Sequence, residues 1–239
     1  MMQNHPDNRT YYDDFSAGYE RERSRGYHAM LDELESSLVE PYCGNARILE
    51  AGCGTGLILE RLAPLASQAV GVDLSQGMLR KARARGLQVM QGSILQLPFS
   101  NDAFDVTYSF KVLAHIESIA DAMRELLRVT RPGGHVIAEF YNAWSLRYLA
   151  KQVAGPQKIS DGRTEADIYT RWDSPRRVKE YVPNDAELIS LHGVRVVTPF
   201  AALHRFPVLD RVLLQAERWA VSSRLRWSGG FLVLIMRKR

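Results

Sequence analysis

The sequence predicts an α/β fold in which a mostly parallel sheet is covered by helices on both faces. Three observations lead there. Strand-like and helix-like segments alternate from residue 46 to 141, a glycine-rich turn (Gly52-Cys53-Gly54-Thr55-Gly56) joins the first strand to its helix, and Asp73 closes the second strand. Such alternation lays strands side by side in parallel, with helical crossovers that are almost always right-handed.

The elements follow in order. Tyr27, Leu31, Leu34 and Leu38 step by four, three and four residues, one face of a helix that Pro41 and Gly44 end. Arg47-Ile48-Leu49-Glu50 is a short strand running into the glycine turn, and residues 57–65 read as the helix that leaves it. Residues 68–72 form a second strand. Ser75 then stands where a hydroxyl can accept from the open amides of a helix continuing through Arg85. Residues 87–91 and 103–108 are the third and fourth strands, the latter alternating at Phe104, Val106 and Tyr108. Ser118 with Asp121 is read as a capping pair for a helix over 119–130, which Pro132-Gly133-Gly134 stops before a fifth strand over 135–141. The alternation then lapses. Residues 143–182 are irregular and aromatic-studded, with eight Lys or Arg against five Asp or Glu. Regular patterning resumes with a strand at 194–197, a helix near 208–222 and a last strand at 231–236.

These breaks divide the chain into a helical lid (1–44), a core (45–142), a cap insertion over the substrate (143–190) and a C-terminal part that completes the sheet (191–239). At 239 residues, 46% hydrophobic and 24% charged, the chain suits one large domain with a cap. Cys43 and Cys53 are the only cysteines, so neither a disulfide framework nor a zinc quartet is expected, and a reducing, cytoplasmic setting is. Residues 1–14 are polar and do not read as a secretory leader, and the longest apolar run, 231–236, is far too short to span a bilayer. Net charge is +4, but Lys and Arg are scattered, which reads as a solvated surface and not a nucleic-acid stripe.

The glycine turn carries the chemistry. Glycine admits a ligand close to backbone, and the following helix start offers open N–H groups. A dinucleotide loop (G-x-G-x-x-G) starting at Gly52 would place its third glycine at position 57, where Leu57 stands. Here the glycines fall at 52, 54 and 56, Glu50 precedes them, and Asp73 ends the next strand, where a carboxylate can accept both ribose hydroxyls. The pattern suits an adenosine-bearing ligand more than a pyrophosphate.

On these residues the chain resembles the class I S-adenosylmethionine-dependent methyltransferases. Glu50-Ala51-Gly52-Cys53-Gly54-Thr55-Gly56 is similar to their first motif. Val70-Gly71-Val72-Asp73 is similar to the ribose-binding strand, Leu97-Pro98-Phe99 with Phe104-Asp105 to an internal segment, and Arg128-Val129-Thr130-Arg131-Pro132-Gly133-Gly134 to a helix end. The nearest likeness is the small-molecule branch that includes quinone-biosynthesis enzymes. The resemblance implies a Rossmann-like, doubly wound sheet of seven strands, the last antiparallel. It implies S-adenosyl-L-methionine held by the backbone from Glu50 through Gly52 and Cys53 to Gly54, with Asp73 on the ribose and Leu74 and Met78 near adenine. The family often has an acid after the glycine of the third strand, where this chain has Gly92-Ser93-Ile94. Ser93 and the Ile94 amide are the expected replacements. Tyr11-Tyr12, Phe15 and Tyr19 resemble a segment that closes over the cofactor, with Tyr19 toward the methionine carboxylate or packed on a helix face.

Methyl transfer from a sulfonium needs positioning more than acid–base groups. His115, beyond the fourth strand, is a candidate base, or it caps the next helix or bonds backbone. Tyr141 and Asn142, beyond the fifth, are candidates to orient the acceptor, or satisfied rim residues. Phe110 borders the cofactor or is a core aromatic. The cap's Tyr148, Tyr169, Trp172 and Tyr181, with Arg147, Lys151, Arg171, Arg176 and Arg177, suit a planar or anionic small-molecule substrate, unless those charges are merely solvated. The expectation is a cytoplasmic methyltransferase, monomer or homodimer, without metal, nucleic acid or stable membrane insertion. A non-catalytic S-adenosylmethionine-binding module and an NAD(P)-dependent oxidoreductase are the alternatives.

Overall fold

The structure, a computed structural model, describes residues 12–13, 16, 26–154, 158–160, 163–164, 169–198 and 200–239. In chain order its main elements are α1 (Gly26–Val39), β1 (Arg47–Ala51), α2 (Leu57–Leu62), β2 (Gln68–Asp73), α3 (Gln76–Ala84), β3 (Gln88–Gln91), β4 (Phe104–Ser109), α4 (Ile119–Val129), β5 (Thr130–Tyr141), α5 (Leu146–Ala154), β6 (Lys158–Ser160), β7 (Arg163–Thr164), α6 (Pro175–Lys179), β8 (Ala186–Val194), α7 (Pro207–Ala220) and β9 (Phe231–Lys238). Seven strands form one sheet in the order β3-β2-β1-β4-β5-β9-β8, and β6 and β7 pair separately. Neighbours from β3 through β5 are parallel, and β9 runs antiparallel to both β5 and β8. The order turns around at β1 and β4, so the segments after β1, β2 and β4 leave from one edge, where ligands of open α/β sheets bind.

Period-two alternation sorts the side chains onto two buried faces. Leu49, Val136, Ala138 and Phe140 join Met123 and Leu127 of α4 in one layer. Ile48, Val106, Tyr108, Ile137 and Tyr141 join Met30, Leu31, Leu34 and Leu38 of α1 in the other. Ser75 caps α3 as expected, its Oγ accepting from Met78 N at 3.1 Å.

Three local expectations are corrected. Ser118 makes no side-chain cap on α4. Its ψ of 67° is not the extended geometry that brings a hydroxyl onto the first turn, and Asp121 pairs with Arg124 instead. Pro132-Gly133-Gly134 does not separate helix from strand. α4 ends at Val129, and β5 begins at Thr130, opposite Phe104, with a register shift before His135 meets Val106. A Cβ on Gly134 would lie 2.6 Å from the Asp105 carbonyl oxygen, so glycine is required there by the close approach of β4. The strand expected at 194–197 lies upstream as β8. Arg195 turns left-handed (φ 59°), and the amides of Val196, Val197 and Thr198 then donate to the buried Glu217 carboxylate at 2.7, 3.0 and 2.8 Å. An internal carboxylate has replaced the sheet as partner for that backbone.

Candidate active site

The amides of Gly52 and Cys53 donate to Val72 O at 2.7 and 3.0 Å, which pins the glycine turn to the end of β2. Gly52 has φ +82°, and a Cβ there would come within 2.1 Å of Val112 Cγ2, so any side chain would push the turn off the segment after β4. Asp73 completes the tie: Oδ2 accepts from Gly54 N and Oδ1 from Ser75 N, both at 2.8 Å. A carboxylate offers roughly four acceptor positions, so about two remain for a ligand. Burial pushes the Asp73 carboxyl up, against the Ser75 and Gly54 amides that favour its charged form.

These groups line an open cleft that encloses about 960 Å³, mouth included. The structure brings to it Glu50, Gly52, Cys53, Gly54, Asp73, Leu74, Met78, Ile94, Phe110 and His115 of the expected residues. Two others fall elsewhere. Ser93 does not line the cleft, and its Oγ accepts from Leu95 N at 3.2 Å, a local turn bond that uses the hydroxyl. Tyr141 stands behind His115, its ring edge-on at 5.7 Å. Tyr19 lies outside the described residues. Asn142 is engaged structurally, with Nδ2 donating to Trp227 O and Gly229 O at 2.8 Å and Oδ1 accepting from Trp144 N at 2.9 Å. Cys53 is held as a neutral thiol, because burial and the neighbouring Glu50 and Asp73 carboxylates push its pKa well up.

Sequence reasoning missed a charge cluster under this cleft. Glu50 and Glu139 occupy positions that alternation assigns to the α1 face, in line with Ile48 and with Ile137 and Tyr141. α1 contributes Asp32 and Glu35, also buried. Lys111 stands among them: Nζ donates to Asp32 Oδ1 at 3.1 Å and Glu35 Oε2 at 2.7 Å, and its amide donates to Glu139 Oε1 at 3.0 Å. Its backbone is left-handed, φ 61°, a conformation a lysine holds only where its surroundings enforce it. Four buried carboxyls thus surround one ammonium, which bonds two of them. Burial, with Asp32 and Glu35 nearby, holds the Glu50 carboxyl well above the usual range, and Glu50 Oε2 has no hydrogen-bond partner. The available signal was polar residues at i and i+3 on the apolar face of α1, and acids in otherwise apolar strands.

His115 is half-buried, and its Nδ1 lies 2.9 Å from Tyr169 O. A carbonyl only accepts, so Nδ1 carries the proton and Nε2 keeps its lone pair. Burial lowers the His115 pKa below 6.5, with Arg147 and Lys151 adding to the effect.

A match to the methyltransferase domain family over residues 49–138 coincides with β1 through β5, the strands that build the cleft. Residues 49–138 thus carry a methyltransferase domain of the S-adenosylmethionine-dependent kind. Its relatives include the malonyl-[acyl-carrier protein] O-methyltransferase of Erwinia pyrifoliae, 37% identical over 133 residues, 54% of this chain and 51% of that protein. The demethylmenaquinone methyltransferase of Corynebacterium urealyticum is 32% identical over 132 residues, 52% and 57% of the two chains. The chain thus spans about half the length of these curated relatives. Among solved structures, an S-adenosylmethionine-dependent methyltransferase from Thermotoga maritima, described as a possible histamine N-methyltransferase, superposes with a TM-score of 0.71 at 18% identity, covering 96% of this chain and 99% of that one. That likeness concerns the fold alone.

The methyltransferase domain's cleft fits its cofactor. Lys111 is the one Lys or Arg among the described lining residues, and carboxylates already engage it. A pyrophosphate would find no free cation there, whereas a sulfonium and an α-ammonium would meet the lining acids Asp32 and Glu50, the latter with an unpartnered oxygen. Leu74, Met78 and Ile94 add apolar surface suited to a flat base. Among the described residues no helix is long and apolar enough to cross a membrane.

Proposed function

We propose that the protein moves a methyl group from S-adenosylmethionine to a small-molecule acceptor by in-line displacement. Charge carries this reading: one cleft joins a carboxylate placed for ribose, Asp73, to an excess of buried carboxyls around Glu50, the surroundings a cationic nucleoside requires. When bound, the cofactor supplies a methyl already activated on sulfur, so the protein's task is to bind, orient and exclude water. Asp73 takes the ribose hydroxyls, the backbone from Glu50 to Gly54 the methionine part, and Leu74, Met78 and the Ile94 amide the base. Tyr19 is assigned to the methionine carboxylate side, and Phe110 borders the cofactor. Holding the acceptor atom about 3 Å from its target and aligned is worth roughly 7–11 kcal/mol of the barrier. His115, neutral with a bare Nε2, takes a proton where the acceptor must lose one, and Tyr141 fixes the imidazole from behind. Residues 45–142 carry this machinery, and α1, expected to belong to a lid over 1–44, packs instead into the core layer beneath the sheet. The cap over the acceptor is drawn back from 143–190 to 143–185, because β8 begins at Ala186. A cytoplasmic location accords with two free cysteines.

Calorimetry with S-adenosylmethionine and its demethylated product tests the cofactor assignment. Asp73→Ala is expected to weaken both by roughly 1–3 kcal/mol, about 5- to 150-fold, the cost of losing charged hydrogen bonds. Unchanged affinity would remove Asp73 from the ribose. Incubation with labelled cofactor and a metabolite extract should reveal a product heavier by one CH₂. Tight cofactor binding without transfer to any extract component would favour a non-catalytic binding module.

A further inference from the structure

Beyond Tyr141 lies a second polar locus that the cofactor does not use. The Arg147 guanidinium sits over three rings, 4.3 Å from the Tyr141 centroid, 4.4 Å from Phe231 and 4.7 Å from Trp172. Its Nη1 is buried with no hydrogen-bond partner, and no carboxylate among the described residues pairs with it. Two other cap cations pair with acids: Arg171 with Asp173, and Arg177 with Glu180. Arg195 approaches from the opposite side. A Cβ built on Gly230 would touch Arg147 Cδ at 3.1 Å and Arg195 Cδ at 3.2 Å, so the two stems converge over that glycine. Arg195 also lies 4.9 Å from the Tyr27 ring centroid, and its pKa is lowered by burial and by Arg147. Ring faces offset a cation's charge, but they do not accept from the in-plane N–H groups that give arginine its fork. Arg195 Nε donates to Thr198 O at 3.3 Å, and Glu217 and Glu139 offset part of the charge of Arg195 and Arg147, yet the Arg147 Nη1 donor stays unpaired beside a second cation, a pairing that an oxyanion would favour. The locus adjoins the cleft wall: the buried Tyr141 ring stands between Arg147 and cleft-lining His115.

We infer that Arg147, with Arg195 beside it, binds an oxyanion group, carboxylate or phosphate, on the methyl acceptor, so that the substrate class is an anionic small molecule whose reacting end reaches past Tyr141 to His115. This rests on the methyltransferase reading for its function, though the anion site can be assayed alone. The probes are benzoate, phenyl phosphate and the neutral isostere benzamide, followed by quenching of tryptophan emission, with and without S-adenosylhomocysteine. Wild-type protein should bind benzoate or phenyl phosphate at least tenfold more tightly than benzamide, and the better of the two names the anion. Arg147→Met should abolish that preference. Arg147→Lys, which keeps the charge and the ring contacts but loses the fork, should weaken the anion severalfold, and it decides the matter if the methionine variant does not fold. Equal binding of anion and amide, or an undiminished preference in the lysine variant, would reduce Arg147 to a packing role. Calorimetry with S-adenosylmethionine separates the two readings: absent cofactor binding with an intact anion preference sinks the transferase reading and leaves the anion site standing.

Discussion

Lys111→Met should lower stability by about 3 kcal/mol. Breaking a buried ion pair from one side costs roughly 3–5 kcal/mol, and the lower end applies because one-fifth of the lysine side chain is exposed. Asp32 and Glu35 would lose their ammonium, while Glu139 would keep the backbone N–H it now accepts. Methionine matches lysine in reach and suffers the same left-handed backbone at this position, so the difference reports charge and not strain. In a chain of this size the loss corresponds to a fall in Tm of about 6–12 °C. The sign of its pH dependence follows from the raised carboxyls. Glu50 and Glu139 have pKa values pushed up by burial, Glu35 adding to both, and Lys111 opposes the rise. A carboxyl raised in the folded state contributes stability that is fully present below its unfolded value, near 4.5, and is lost as pH rises through the folded value. Removing Lys111 raises those values further. The variant should therefore lag wild type by more at pH 8 than at pH 5. Thermal melts at both pH values check this, and Glu35→Gln in the Lys111→Met background should recover part of the loss. A deficit independent of pH would mean that the ammonium does not neutralise these acids.

The same cluster explains what could and could not be read from the chain. The core was legible because each element's local signal agreed with its neighbours. Ile48 and Leu49 alternate into opposite layers, Ser75 caps α3, and the glycine turn holds Asp73 at the end of β2. Ten of the expected cleft residues are brought together because backbone geometry alone fixes them. Lys111 was invisible for the opposite reason. Its partners come from α1, 76 and 79 residues earlier, and from β5, 28 residues later, and no local pattern links them. Ser93 is turned into its own loop, where its Oγ accepts from Leu95 N. β8 was displaced because the valines at 194, 196 and 197 read as a strand, whereas Glu217, about twenty residues away, captures the backbone that follows. The misses share one cause: a polar partner distant in sequence, or a close local bond, outweighed the hydrophobic pattern.

His115→Gln should lower kcat by about 10²-fold or more with little change in KM, if the acceptor's nucleophile must be deprotonated. Glutamine can keep a hydrogen bond toward Tyr169 O, so the cleft wall should persist while the basic nitrogen disappears. The pH profile distinguishes a base from a wall residue. Burial and the nearby Arg147 and Lys151 favour neutral imidazole, so the folded pKa lies below 6.5 and the active form prevails at neutral pH. Wild-type kcat should thus hold as pH falls through 6.5 and drop only at lower pH, and that acidic limb should vanish in the glutamine variant. An anionic acceptor bridging Arg147 would weaken the positive field on His115 and move the limb of kcat upward from that of kcat/KM, which reports the free enzyme. A loss of less than tenfold, with the acidic limb intact, would assign the transfer to positioning alone. The cofactor assignment of Asp73 and Glu50 would be untouched in that case, because it requires no proton to move.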